Sequence, residues 1–336
     1  MNILLTSVGR RSYLIKYFKE ALGDLGKIYA SNSVKSIATQ EADDYLITPL
    51  IYDDNYIPVI IDFCIKNNIT AVMSVFDIDL LVLSKNASIF EENGIRLILA
   101  DQKAIEICND KWETFLFLKK NNIKTPKSYL SVDDVLKSIE NSEISYPVVI
   151  KPRWGMASLG IYMVDNEDEL RVLSKKCKKE IFDSHLKFES SFTPDESIIY
   201  QEKLNGQEYG LDVINDLEGN YVTTFSKKKI LMRAGETDLG ETVSSLPFIN
   251  IAQILSHEIK HQAILSVDCF IVKDEIFVIE MNCRISGHYP LSHLAGVDLP
   301  KQIVLWLQGK QTDLSLIQFK ENLFIIKDLV PKIISV

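Results

Sequence analysis

Nowhere does the 336-residue chain run for the roughly 18–20 uninterrupted apolar residues that a membrane helix requires, so no helical span is expected. Cysteine is scarce. Cys64, Cys108, Cys177, Cys269 and Cys283 are spaced neither as a disulfide framework nor as a CxxC zinc site, and reduced thiols in a cytoplasmic protein are the expectation. The amino-terminal MNILLTSVGRR carries its charges after a short apolar run, the reverse of a secretory leader. Positive charge is short as well: Lys and Arg number 37 against 46 Asp and Glu, a net charge of −9. That balance argues against general binding to nucleic acid or an anionic membrane, and leaves room for one basic pocket. Both familiar glycine-rich nucleotide fingerprints are missing, since neither GxGxxG nor GxxxxGK[ST] occurs. There is no internal repeat and no low-complexity linker. What is present is an ordinary globular composition, 46% hydrophobic and 25% charged, which argues against disorder. The length suits two or three domains.

Up to about residue 101 the chain alternates strand and helix. Residues 2–7, 27–32, 45–49, 70–75 and 96–100 read as strands; 12–22, 57–67 and 77–93 carry helical spacing. Such alternation means βαβ units and a parallel, doubly wound sheet. The pattern then changes. Helices are expected at 111–122, from the Ser131 cap to 141, and from Asn166 onward, with strands at 146–151 and 161–164. From 197 the chain turns strand-rich, with hairpins about 217–220 and about Lys273-Asp274, a helix face at Ile251, Leu255, Ile259 and Ala263, and a last helix at 298–308. The divisions that follow are 1–101, 102–196 and 197–336.

Three stretches carry chemistry. In Glu280-Met281-Asn282-Cys283-Arg284, alternate residues of a strand share a face, so Glu280, Asn282 and Arg284 point the same way and Cys283 points into the core. The hairpin brings Asp268 alongside Glu280, and two carboxylates with an amide oxygen suit Mg²⁺. Arg284 would sit where phosphate charge develops. A solvated strand face would look much the same in isolation. The second stretch is Val148-Val149-Ile150-Lys151-Pro152, ending in a loop with Gly155, Ala157, Ser158 and Gly160. Small residues admit phosphate close to backbone N–H groups, and Lys151 offers a point charge; an ordinary hairpin turn reads alike. The third, Gln201-Glu202-Lys203-Leu204-Asn205-Gly206-Gln207-Glu208, offers a strand edge and carboxylates to a nucleoside. Lys111, opening a helix in Asn109-Asp110-Lys111-Trp112, would otherwise be a surface lysine.

In this order the motifs resemble the ATP-grasp superfamily of carboxylate–amine ligases, in the style of its carbamoyl-phosphate-synthase-like and pyrrolysine-biosynthesis members. The resemblance covers nearly the whole chain. It implies a Rossmann-like pre-ATP-grasp domain followed by a two-lobed ATP-grasp fold, an α/β unit joined to α+β lobes. It implies ATP and Mg²⁺ (Mn²⁺ as a substitute) as cofactors. Lys111 and Lys151 would contact nucleotide phosphates under a lid containing Gly155, Ser158 and Gly160. Glu202 and Leu204 would line the adenine hinge, and Glu208 would hold the ribose. Asp268, Glu280 and Asn282 would bind metal, with Arg284 catalytic beside Lys151. The implied reaction activates a small-molecule carboxylate, such as an amino acid or sugar acid, as an acyl phosphate that an amine then attacks. A kinase on the same scaffold and an ATP-binding protein without turnover are the other readings.

Substrate contacts are sought in four places. Arg233, before Gly235-Glu236-Thr237, is set against a substrate carboxylate, while Lys227 to Lys229 read as a solvated edge strand. Arg10 and Arg11 follow the first strand, where such sheets bind ligands, and could hold an anion. Asp77 and Asp79, after the fourth strand, could meet an amine, or simply open a helix. His288 could line the acceptor site. No nucleic acid or membrane partner is expected, and a homodimer is the default assembly.

Overall fold

The computed structural model describes residues 1–156 and 158–333. Ala157, placed above in the phosphate loop, and residues 334–336 lie outside the described residues. Fifteen strands are described: β1 Asn2–Thr6, β2 Ile28–Asn32, β3 Asp44–Ile47, β4 Ile69–Ser74, β5 Arg96–Leu97, β6 Ser128–Tyr129, β7 Val148–Pro152, β8 Tyr162–Val164, β9 Ile198–Glu202, β10 Gln207–Asn215, β11 Tyr221–Arg233, β12 Glu236–Val243, β13 Ile264–Val272, β14 Glu275–Asn282 and β15 Phe324–Ile326. They form three sheets.

The first sheet is parallel throughout, in the order β3-β2-β1-β4-β5. The chain winds outward from β1 to β3, then returns to β4 on the other side of β1. That reversal opens a crevice beyond the carboxyl ends of β1 and β4, and Arg11 and Asp77 follow those two ends. The expected helix at 77–93 is two helices, Asp77–Lys85 and Ala87–Glu92. Asn86 divides them: its side-chain amide donates back to the Val82 carbonyl at 2.8 Å, the local bonding by which asparagine competes with helix.

The second sheet, β6-β9-β7-β8, is antiparallel and carries helices Val132–Glu140 and Glu167–Phe182. Both helices begin where the sequence marks a cap, with Ser131 accepting from the Asp134 N–H at 3.1 Å and Asn166 from the Glu169 N–H at 2.9 Å. β9 lies past the division expected at 196, and pairs with β7 in this sheet.

The third sheet, β14-β13-β10-β11-β12-β15, is antiparallel. Here the reading of Lys227–Lys229 as a solvated edge needs correction. β11 lies between β10 and β12, and Lys227 and Lys229 are 0% and 6% exposed. Each is buried because a carboxylate waits on β10, Asp212 for Lys227 and Glu208 for Lys229.

The buried apolar side chains of the described residues gather in four clusters. One runs without a break from the first sheet into the third, joining Ile3, Leu5 and Phe18 to Phe225, Ile285 and Tyr289. The middle sheet has its own, built from Val135, Ile150, Leu170, Ile181 and Tyr200. Near the helix Lys187–Ser190, the middle unit touches the first through a stacked pair, Phe188 on Tyr52 with ring centroids 4.2 Å apart, and a hydrogen bond from the Tyr52 hydroxyl to Glu189. No described helix is long and apolar enough to cross a membrane.

Candidate active site

Residues directly opposite in an antiparallel pair project to the same side. Asp268 stands opposite Glu280, Ser266 opposite Asn282, and Gly210 opposite both Asp268 and Lys227. One face of the third sheet therefore gathers carboxylates, amide and lysines. It lines a cavity of about 570 Å³ to which the middle sheet and the segments following β1 and β4 also contribute.

At the end toward the middle sheet, Lys151 arrives on β7 and Lys111 on the first turn of the helix Lys111–Lys120. Asp110 caps that helix, accepting from the Trp112 N–H at 2.9 Å, and receives the Arg153 guanidinium at 2.8 and 3.0 Å. The Asp110–Arg153 pair thus fixes Lys111 relative to β7. Lys111 donates to the Gly155 carbonyl and lies 3.8 Å from Glu280. Burial and the neighbouring Lys111 charge pull Lys151 down from 10.5 to about 8. Gly155, Ser158, Glu202, Leu204 and Glu208 also line this end.

Lys229 bridges Glu208 and Asp268, 2.8 Å from each. Burial works against its charge, but the two carboxylates outweigh it and hold the ammonium above the usual lysine range. Burial likewise works against ionisation of Asp268, and Lys229 and His288 outweigh it to keep the carboxyl low. His288 lines the cavity with its Nε2 2.9 Å from the Ser266 hydroxyl and its Nδ1 3.3 Å from Asp212. Its ring packs so closely on β10 that a Cβ at Gly210 would lie 2.9 Å from it. Beneath, Asp212 accepts from Lys227 and, at 2.6 Å, from the Ser292 hydroxyl. Burial works against its charge, but Lys227 and His288 outweigh it and hold the Asp212 carboxyl below the usual carboxylate range.

At the opposite end the first sheet enters. Arg284 grips Asp77 in a two-pronged pair, Nε and Nη2 at 2.9 and 2.7 Å from the two carboxylate oxygens. Asp77 therefore meets a guanidinium, and it lies with Asp79 in the first turn of its helix, behind Phe76, which makes no side-chain capping bond. Glu236 lies 3.2 Å from Lys327 and 3.8 Å from Arg11. Asp79 is buried below the crevice, accepting from Thr6, Tyr56 and Ser74 at 2.5, 2.6 and 2.7 Å, a structural role.

Besides Asp79, three sequence candidates are not brought to the cavity wall. Arg10 is exposed. Arg233 sits past it on the β11–β12 hairpin, paired with Asp238 at 2.6 Å. Gly160 is turned toward Cys177, whose thiol donates to its carbonyl at 3.4 Å. Sequence reasoning missed Lys229, Ser266, Glu236 and Thr237 as lining residues. The alternation Lys227, Lys229 against Glu208, Asp212 was the available signal, legible only once β11 is recognised as an interior strand.

Asp268, Glu280 and Asn282 fit a hard cation. Among the described residues no three His, Cys, Asp or Glu converge into a self-sufficient cage, which agrees with two carboxylates and an amide that leave several Mg²⁺ positions to phosphate oxygens and water.

Residues 108–288 match the family described as ATP-grasp domain. The chain belongs to the ATP-grasp family. Residues 3–98 match the PylC-like, N-terminal domain. Among curated ATP-grasp relatives, the arginine-specific carbamoyl phosphate synthase large chain of Bacillus subtilis is 24% identical over 225 residues, covering 63% of this chain and 20% of that one. The coenzyme γ-F420-2:α-L-glutamate ligase of Methanocaldococcus jannaschii is 30% identical over 191 residues, covering 54% of this chain and 59% of that one. The chain thus spans about a fifth of the length of the synthase it matches. A solved structure, the biotin carboxylase domain dimer of Hydrogenobacter thermophilus 2-oxoglutarate carboxylase with MgADP, ADP and bicarbonate, superposes with a TM-score of 0.74 at 19% identity, over 96% of this chain and 73% of that one. That likeness shows the fold.

Proposed function

We propose that this ATP-grasp protein is an ADP-forming carbon–nitrogen ligase that joins a small-molecule carboxylate to an amine. The observation that carries the reading is the convergence of Asp268, Glu280 and Asn282 with Lys111, Lys151 and Arg284 on one cavity. Lys111 and Lys151 bind the nucleotide phosphates; Glu202, Leu204 and Glu208 face its adenosine. Asp268, Glu280 and Asn282 hold Mg²⁺, which when bound neutralises phosphate charge. A carboxylate oxygen of the substrate attacks the γ-phosphorus, the bond to the bridging oxygen breaks, and ADP leaves. The amine nitrogen then attacks the acyl carbon, phosphate departs with the former carboxylate oxygen, and the nitrogen loses its proton. Arg284 stabilises the charge that develops on the oxygens in both steps. Gly155 and Ser158, over the phosphates, exclude water from the acyl phosphate. The relatives named above are a synthase and a ligase, and the solved neighbour holds MgADP. We read the units as 1–101, 102–202 and 203–336, and the assembly as a cytoplasmic homodimer, in line with the dimeric neighbour.

The test is a turnover assay with Mg²⁺ATP and pooled acids and amines, read for ADP, inorganic phosphate and product mass. ADP and phosphate released only with both substrates, and a product lighter than their sum by one water, support the ligase. A stable phosphorylated product without free phosphate would make it a kinase; ATP binding without turnover across the pool would make it a binding protein.

A further inference from the structure

Beyond Arg284 the cavity has an end that the phosphates and metal do not use. Three cations stand there, Arg11, Arg284 and Lys327, against two carboxylates, Asp77 and Glu236. Arg284 is satisfied by Asp77, with both side chains about 90% buried, at 12% and 11% exposed. Lys327 is satisfied by Glu236 at 3.2 Å and by the Gly287 carbonyl at 3.1 Å. Glu236 packs against Gly287, where a Cβ would lie 2.7 Å from its carboxyl carbon, and gives Lys327 the nearer of its two oxygens. Arg11 is left over. Its side chain is 18% exposed, and its one ion pair among the described residues is the loose 3.8 Å approach to Glu236; its Nε is buried without a partner. Burying a guanidinium this far is costly unless an anion meets it.

A second, independent observation marks the same wall. Thr237 and Ser286 are 2% and 5% exposed, line the cavity, and have hydroxyls buried with no hydrogen-bond partner. Unmet buried hydroxyls are rare in a finished interior and point to a missing ligand. A cation with an open planar fork and two hydroxyls matches a carboxylate, which accepts on both oxygens. The single surplus positive charge matches a single negative one.

We propose that Arg11, Thr237 and Ser286 bind a carboxylate that does not react. One substrate therefore carries an anionic group besides the one activated: either the acid is a dicarboxylate, or the amine is an amino acid. This rests on the ligase reading for the location of the reacting groups, and its test can fail separately.

The probes are acetate and its neutral twin acetamide, followed by ligand-observed NMR with Mg²⁺ and AMP-PNP filling the nucleotide end. Acetate should bind on the order of millimolar, and acetamide about tenfold more weakly. Arg11→Gln should weaken acetate by about tenfold to a hundredfold without changing AMP-PNP affinity. Arg11→Lys, which keeps the charge and loses the fork, should fall between and guards against a folding defect in the first variant. Glycine binding more tightly than acetate would assign the carboxylate to the amine substrate; glutarate doing so would assign it to the acid. Equal binding of acetate and acetamide, absence of acetate binding, or acetate binding indifferent to Arg11→Gln would overturn the site. Failure of AMP-PNP to bind would count against the ligase reading alone, and the acetate comparison would then be read without nucleotide.

Discussion

Replacing Lys151 with methionine should make the nucleotide-free protein more stable while destroying its hold on ATP. The side chain is 7% exposed, and burial together with Lys111 brings it from 10.5 to about 8. At 1.36 kcal/mol per pH unit, carrying the charge in the folded state costs about 3 kcal/mol. Methionine has nearly the same reach and no charge, so at pH 7 the variant should gain on the order of 2–3 kcal/mol, a large part of a typical 5–15 kcal/mol total. The sign of the pH dependence follows. Below pH 8 both folded and unfolded wild type are protonated at this lysine, and the penalty is fully present. Between about 8 and 10.5 the folded state releases its proton first, the unfolded chain holds more protons, and wild-type stability rises. The advantage of the variant should therefore shrink across that window and be nearly gone above it. Urea unfolding at pH 7 and pH 10, with calorimetric titration of AMP-PNP, measures all three quantities. A variant less stable than wild type at pH 7, or an advantage that stays constant to pH 10, would refute the reasoning. Retained nucleotide affinity would remove Lys151 from the phosphate site.

Glu280→Gln should abolish Mg²⁺-dependent ADP release while changing unfolding free energy by less than about 1 kcal/mol; loss of the fold would mean the carboxylate is structural. Asp77→Asn keeps the shape of the Arg284 partner and removes its charge, and should lower kcat on the order of tenfold with AMP-PNP affinity nearly unchanged, as steady-state kinetics and calorimetry will show. Lys227→Ala leaves Asp212 buried without its lysine and should destabilise the protein by about 3–5 kcal/mol in denaturant unfolding, because both partners are 0% exposed.

Much of the fold is legible in the sequence for local reasons. Apolar strands separated by amphipathic helices announce the parallel sheet, and Ser131 and Asn166 mark helix starts that the structure keeps. The Glu280-x-Asn282-x-Arg284 alternation likewise needs only the two-residue period of a strand. What escapes the sequence is pairing at a distance. Lys227 and Lys229 look solvated until Asp212 and Glu208 are known to face them from the neighbouring strand. Arg233 looks like a substrate contact until Asp238, five residues on, is seen to take it. The break at Asn86 depends on one side-chain amide, and the edge strand β15 is three residues long, too short to show a period.

The separate core of the middle sheet sets where this molecule can yield. The first and third sheets share buried side chains, as do the third sheet and the helices Gln102–Asn109 and Lys111–Lys120; the middle sheet, with its helices Val132–Glu140 and Glu167–Phe182, keeps a core of its own and touches the first unit at the Tyr52–Phe188 stack. Thermal breathing should follow that seam, with amide protons of the middle sheet and its two helices exchanging as a group and ahead of those in β10 and β13. A nucleotide bridging Lys151 on one side and Asp268 on the other would staple the seam. Protection from exchange would then report nucleotide occupancy across a whole unit, far from any atom the nucleotide touches.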